Sequence, residues 1–128
     1  MTPLDREACW DMLRAHSFAR IGYVLRGEVR IVPINYAVSG DRLVFRTADD
    51  SKFYALSANE HVGFELDEVG QDTARSVIAR GRAHLLEDES EVAEATATLH
   101  PWVPTEKRRV VAIEMTHLSG RAFRLQRD

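Results

Sequence analysis

Runs of β-branched and aromatic residues, cut by short glycine-containing turns, constrain this chain more than any other feature. Phe18 to Leu25 is followed by Arg26-Gly27-Glu28, and Val29 to Val38 by Ser39-Gly40-Asp41, before a third run from Leu43 to Thr47. Three strands in order, joined by tight turns, make a meander. His61 to Val69 alternates again, with Val62, Phe64 and Leu66 on one face and Gly63, Glu65 and Asp67 on the other. After a turn at Gly70 to Asp72, Thr73 to Glu87 reads as a long strand on which Ser76, Ile78, Arg80 and Arg82 share a face. Arg108 to Met115 is a further strand, continued by Arg121 to Leu125 beyond a turn at Ser119-Gly120.

Helical spacing is confined to the flanks of these strands. Residues 2 to 16 carry an apolar stripe through Leu4, Ala8, Met12 and Ala15, with Thr2 as N-cap and Pro3 at the first helical position. Ala48 to Asn59 breaks the strand pattern and fits a short helix around Phe53 and Leu56. Glu89 to Leu99 forms a second amphipathic helix, and Pro101 and Pro104 bracket a loop holding Trp102. The expected fold is therefore mainly β: a six- to seven-stranded antiparallel barrel with two or three short flanking helices, although a sandwich also fits. A chain of 128 residues makes one domain, spanning residues 1 to 128.

The formal net charge of −3 argues against nucleic acid as the main partner, since a phosphate backbone demands clustered positive charge. It leaves room for a single small anion held by two or three cations. Cys9 is the only cysteine, which excludes an intramolecular disulfide and a cysteine zinc cage. Its place in a helical pattern beside Trp10 reads as a packed thiol. The five histidines lie far apart and show no metal-ligand spacing, so no metal site is expected. The N-terminus carries Asp5 and Glu7 and has no apolar core, and no run approaches a membrane span. The expectation is a cytoplasmic protein without a membrane partner.

Two segments carry chemistry. In Phe45-Arg46-Thr47-Ala48-Asp49-Asp50-Ser51-Lys52 a strand gives way to a polar turn and then a helix. Arg46 can fork onto phosphate oxygens, Lys52 adds a point charge, and the Thr47 and Ser51 hydroxyls donate. The same residues also fit a helix capped by Asp49 or Asp50, with Arg46 and Lys52 in surface pairs. In Ile31-Val32-Pro33-Ile34-Asn35-Tyr36, Pro33 removes a ladder donor and implies an edge, a bulge or a non-strand neighbour. Asn35 supplies both a donor and an acceptor, suited to a ring edge or simply to a polar outer face.

Taken in order, Arg20-Ile21-Gly22, Ile31 to Tyr36, Phe45-Arg46-Thr47 with Ser51-Lys52, Val62 to Asp67, Ser76-Val77, Arg80-Gly81-Arg82-Ala83 and Leu118-Ser119-Gly120-Arg121 resemble the pyridoxamine 5'-phosphate oxidase-like flavin-binding split barrels. The resemblance covers nearly the whole chain. It implies a split β-barrel forming a homodimer, with flavin mononucleotide (FMN) at the subunit interface and a small-molecule substrate for a flavin-dependent oxidoreductase. By that similarity, Arg46, Thr47, Ser51 and Lys52 hold the phosphate, while Pro33, Ile34, Asn35 and Phe45 run along the ring. Ser76 and Arg80 approach it from the long strand, and Trp102 reaches towards the partner's cofactor. No catalytic side chain is implied, because the chemistry belongs mainly to the cofactor.

The chain also departs from that pattern. Asp50 stands where relatives carry glycine, and Ala74-Arg75 where they carry Gly-Trp, changes that weaken phosphate and ring contacts. The Arg-x-His segment of the true oxidase is missing from Arg121-Ala122-Phe123-Arg124-Leu125, which excludes that specific activity. Two alternatives follow: a deazaflavin whose anionic tail lies along Arg80, Arg82, Lys107, Arg108 and Arg109, or a redox-inactive barrel binding haem or a protein partner.

Overall fold

The computed structural model describes residues 1–47, 61–99 and 109–126. Its elements are β1 (Thr2–Leu4), α1 (Arg6–Ala15), β2 (Phe18–Leu25), β3 (Glu28–Ser39), β4 (Arg42–Thr47), β5 (His61–Val69), β6 (Thr73–Leu86), α2 (Glu89–Ala95) and β7 (Arg109–Arg124). All strand pairings are antiparallel, in the order β1-β7-β4-β3-β2-β5-β6, and β6 returns to pair with β7. Strands β2 to β7 thus close a barrel. Along one side of β7, β4 pairs with the first half and β1 with the second, which gives the barrel its split.

Tight turns set the meander. Arg26 and Gly27 both have positive φ, 53° and 78°, the twist that a two-residue hairpin requires. The register that follows runs unbroken from Leu25↔Glu28 to Phe18↔Asn35. On its other side β3 meets β4 only from Tyr36 onwards, so among the described residues its first half is an edge there. Pro33 sits in that half, where a missing N–H is tolerated.

Alternation sends Ile21, Tyr23, Ile34, Tyr36, Phe45, Phe64 and Val77 inward, all buried. Tyr36 and Phe64 meet edge to face at 5.1 Å, and the Tyr36 hydroxyl donates to the Leu13 carbonyl at 2.7 Å. Helix α1 contributes Cys9, Trp10, Met12 and Leu13 to this core. Burial raises the Cys9 thiol pKa, as a packed rather than reactive cysteine requires. A second apolar cluster lies on the outer surface. There α2, through Ala95, and Leu99 beyond it cover Ala37, Val44, Leu86, Val110 and Ala112.

Three local expectations are corrected. The first helix begins after Asp5, whose carboxylate accepts the Ala8 N–H at 2.8 Å; Thr2–Leu4 is instead a strand held by residues 120–122. The expected turn at Ser119-Gly120 is absent, and β7 runs straight through it. Gly120 is needed for close approach, since a Cβ there would lie 2.7 Å from Cys9 Sγ. Helix α2 stops at Ala95, short of Leu99, with the Thr96 hydroxyl donating to the Val92 carbonyl at 2.7 Å. The expected helix within residues 48–59 lies outside the described residues.

Two in-strand glycines make opposite predictions. A Cβ on Gly81 would overlap the Glu114 carbonyl oxygen, whereas one on Gly63 meets nothing within 4 Å. Gly81→Ala should cost roughly 1–3 kcal/mol through overpacking. Gly63→Ala should be neutral or stabilise the ligand-free protein by about 0.4–1 kcal/mol. Denaturant midpoints check both; equal losses at the two positions would contradict this packing.

Candidate functional site

Since α2 and Leu99 cover the outer surface around β4 and the end of β6, the open part is the outer side of β2, β3, β5, the middle of β6 and the second half of β7. Cross-strand register arranges that surface in rows. One row reads Pro33, Arg20, Glu65, Ile78, Ser119, and the next Ile31, Gly22, Gly63, Arg80, His117. Large apolar side chains are exposed along it: Val29 at 73%, Ile31 at 68% and Ile78 at 46%, with Phe18 and Val24 beside them. So much bare apolar surface on adjacent strands marks a place where something docks.

Of the residues expected to bind cofactor, five reach the outside of the barrel, in two groups. Pro33 is exposed and Asn35 half-buried on β3, and the Asn35 side-chain amide donates to the Ser17 carbonyl at 3.0 Å. Arg46 is half-buried on the outer side of β4, opposite Val110. Ser76 and Arg80 lie two positions either side of Ile78 on β6, separated from β4 by β3, β2 and β5 around the open side of the barrel and by β7 alone around the other. Around the open side, strand spacing makes that gap roughly 19 Å along the sheet. Ile34 and Phe45 point into the barrel, Phe45 wholly buried, so their backbone alone reaches the outer surface. Thr47 is also buried. Ser51, Lys52 and Trp102 lie outside the described residues, as do Asp50, Lys107 and Arg108.

Arg75, one of the departures noted in the sequence, faces the barrel end rather than this surface. Its guanidinium pairs with Glu68, whose other oxygen lies 2.7 Å from His16 Nε2 at the end of α1. Hydrogen bonds from His16 and then Arg75 lower the Glu68 pKa.

Sequence reasoning did not anticipate an open trough of about 690 Å³ in the same surface. Gly22 and Gly63, directly paired, form its floor; Val24 and Val29 stand at one side, and Arg80, Arg82, His61 and His117 contribute charge or protonatable nitrogen. A bulge shapes one wall. Register slips between Arg80 and Gly81, leaving Thr116 without a cross-strand partner, and its hydroxyl donates to the Arg80 carbonyl at 3.1 Å. A usable signal was present: two glycines inside strands with no turn nearby.

Beside the trough on β5, Glu65 and Asp67 stand two positions apart on the same face of the strand. Burial first, then the neighbouring Asp67 carboxyl, push the Glu65 pKa up to about 7, against the pull of Arg20. A raised carboxyl pKa means the folded protein holds a proton that the unfolded chain releases. The contribution is therefore fully present below the ordinary value of 4.5 and lost as pH rises towards about 7. Glu65→Gln should flatten that fall in melting temperature and raise it on the alkaline side. Thermal melts across pH check this, and an unchanged slope would contradict it.

The closed barrel with one helix capping it and another on its flank defines a split-barrel protein. A family model for pyridoxamine 5'-phosphate oxidase matches residues 5–122, and the chain belongs to that family. A FAD-binding protein of Mycobacterium smegmatis is 34% identical, with a TM-score of 0.83 over 98% of this chain and 100% of that one. A FAD-binding protein of Mesorhizobium loti is 26% identical, with a TM-score of 0.84 over 94% of each chain. Rv3129 of Mycobacterium tuberculosis, itself uncharacterized, is 38% identical over 88 residues, 68% of this chain and 80% of that protein. No helix among the described residues is long and apolar enough to cross a membrane.

Proposed function

We propose that this protein binds a flavin, FMN, on the open outer surface where two copies of the chain meet, and uses it to oxidise or reduce a small molecule. The observation that carries the reading is the exposed apolar surface, flanked by Arg46 on one side and by Ser76 and Arg80 on the other. Membership of the family and the flavin-binding relatives support it. A tricyclic ring cannot lie inside the barrel, because Tyr36, Phe45, Ile21 and Val77 already fill it. An outer cleft remains.

Among the described residues, Arg46, Pro33 and Asn35 fit such a group. Arg46, with Lys52 and the hydroxyls of Thr47 and Ser51, would hold the phosphate through charge-assisted hydrogen bonds worth roughly 1.5–3 kcal/mol each. Two or three of these fall near or below the ~8 kcal/mol of micromolar affinity once association entropy is subtracted. Burying about 200 Å² of ring adds roughly 5 kcal/mol, which makes the apolar surface indispensable. Pro33 presents a face without an N–H, and Asn35 is held in place by the Ser17 carbonyl. Arg80 would add positive charge beside the ring. The flavin, when bound, supplies the electron transfer.

A second copy is the natural cover for Val29, Ile31 and Ile78, and interfaces of standard size need roughly 800 Å² from each partner. Ile31→Glu should therefore give a monomer by light scattering and weaken FMN binding with it. Arg46→Ala and Lys52→Ala should each weaken FMN about tenfold or more in fluorescence titrations, with melting curves unchanged. A protein that takes up no flavin from solution, or a double variant that binds FMN as the parent does, would overturn the reading.

A further inference from the structure

Glu68 and Arg75 stand opposite each other in the β5–β6 register, so the ladder itself aims the guanidinium at the carboxylate. Arg75 Nε donates to Glu68 Oε1 at 3.1 Å, and a terminal guanidinium nitrogen donates to the same oxygen. That leaves Oε2 for His16 Nε2, at 2.7 Å. These bonds hold the Glu68 carboxyl below the usual carboxylate range, so it stays ionised while it ties two strands to the helix. His16 is where α1 gives way to extended backbone, with φ −125° and ψ 165°. The three side chains form a clamp on the junction between α1 and β2.

The next residue is Ser17, and two groups of β3 converge on its carbonyl. The Tyr36 N–H donates to it at 2.9 Å and the Asn35 side-chain amide at 3.0 Å. Ile34 and Tyr36 both point into the barrel, so Asn35 between them points out of it. A carbonyl can only accept, and the amide must therefore turn its NH2 towards Ser17 and its oxygen away. One backbone bond, from Tyr36, fixes the distance of that carbonyl but leaves its tilt loose, because acceptor angles are broad. The clamp, one residue away, supplies the second constraint. The body of α1 is held separately: Cys9, Trp10, Met12 and Leu13 are buried, and the Tyr36 hydroxyl donates to the Leu13 carbonyl at 2.7 Å. Breaking the clamp thus frees the junction and leaves the helix docked.

We infer that His16, Glu68 and Arg75 are positioning residues for Asn35: the clamp sets the Ser17 carbonyl, and the carbonyl sets which end of the Asn35 amide meets the flavin. The ligand is the one proposed above, on which this role rests, whereas the clamp stands on contacts within one chain. An amide held one way round offers its donor and its acceptor at fixed places. It therefore admits one orientation of a ring whose edge carries both N–H and C=O groups, and that preorganisation favours binding. Arg75 then acts on the open surface without reaching it.

The side-chain amide resonances of Asn35, recorded by NMR on the flavin-free protein, test the clamp directly. One Asn35 amide proton should be slow to exchange, as a hydrogen-bonded proton is. His16→Ala and Glu68→Ala should each shift that signal and hasten its exchange at nearly unchanged melting temperature. His16→Gln, whose Nε2 stands in for that of the imidazole, should restore it. FMN titrations read the consequence: His16→Ala and Glu68→Ala should each weaken FMN about threefold to tenfold. In an Asn35→Ala background neither should weaken it further, since all act through one amide. An Asn35 signal indifferent to both clamp variants, or losses that add to that of Asn35→Ala, would overturn the inference while FMN binding by the parent stood. A parent that takes up no FMN would instead overturn the flavin reading, and the role of the clamp with it.

Discussion

Everything in this molecule follows from closing β6 against β7. Once those long strands pair, six strands form a ring too narrow to enclose anything except its own side chains, and Tyr36, Phe45, Phe64 and Ile21 occupy that space. Helix α1 caps the interior, and the His16–Glu68–Arg75 cluster closes the end beneath it. Among the described residues, the barrel therefore offers no internal binding site. Any ligand chemistry is displaced to the outside.

The outer surface is divided unequally. Helix α2 and Leu99 bury one part, where Val44, Val110 and Ala112 are as dry as the interior. The remainder keeps an apolar surface that a lone domain has no reason to maintain, interleaved with arginine, histidine and a glycine pair. Apolar side chains, cations and bare backbone suit a flat, negatively charged molecule. They also suit a second copy of the chain pressed against it.

Much of this was legible in the sequence because it is local. Alternation delimited β2 and β5, and the glycines with positive φ marked the hairpins. What failed was non-local. Thr2-Pro3-Leu4 carries a helix-start signature, yet pairing with residues 120–122 makes it a strand, and only Asp5 is positioned to cap. Ser119-Gly120 has the composition of a turn, but its glycine exists to let Cys9 approach. The same distinction holds for the site. Arg46 and Arg80 could be singled out from their own segments, whereas the union of Gly22 with Gly63, or of His61 with Arg82, depends on the β2–β5 and β5–β6 registers. Inward orientation of Ile34 and Phe45 likewise follows from how the barrel closes, which spacing alone does not reveal.

The account rests on one physical claim, that a planar anionic cofactor sits on the outside of the barrel at the junction of two chains. Sedimentation of the flavin-reconstituted protein, followed simultaneously in the ultraviolet and visible, tests it most directly. The account predicts a single boundary at twice the 14.5 kDa chain mass carrying one flavin per chain. Visible absorbance left behind in the supernatant, or travelling with a single chain, would contradict it.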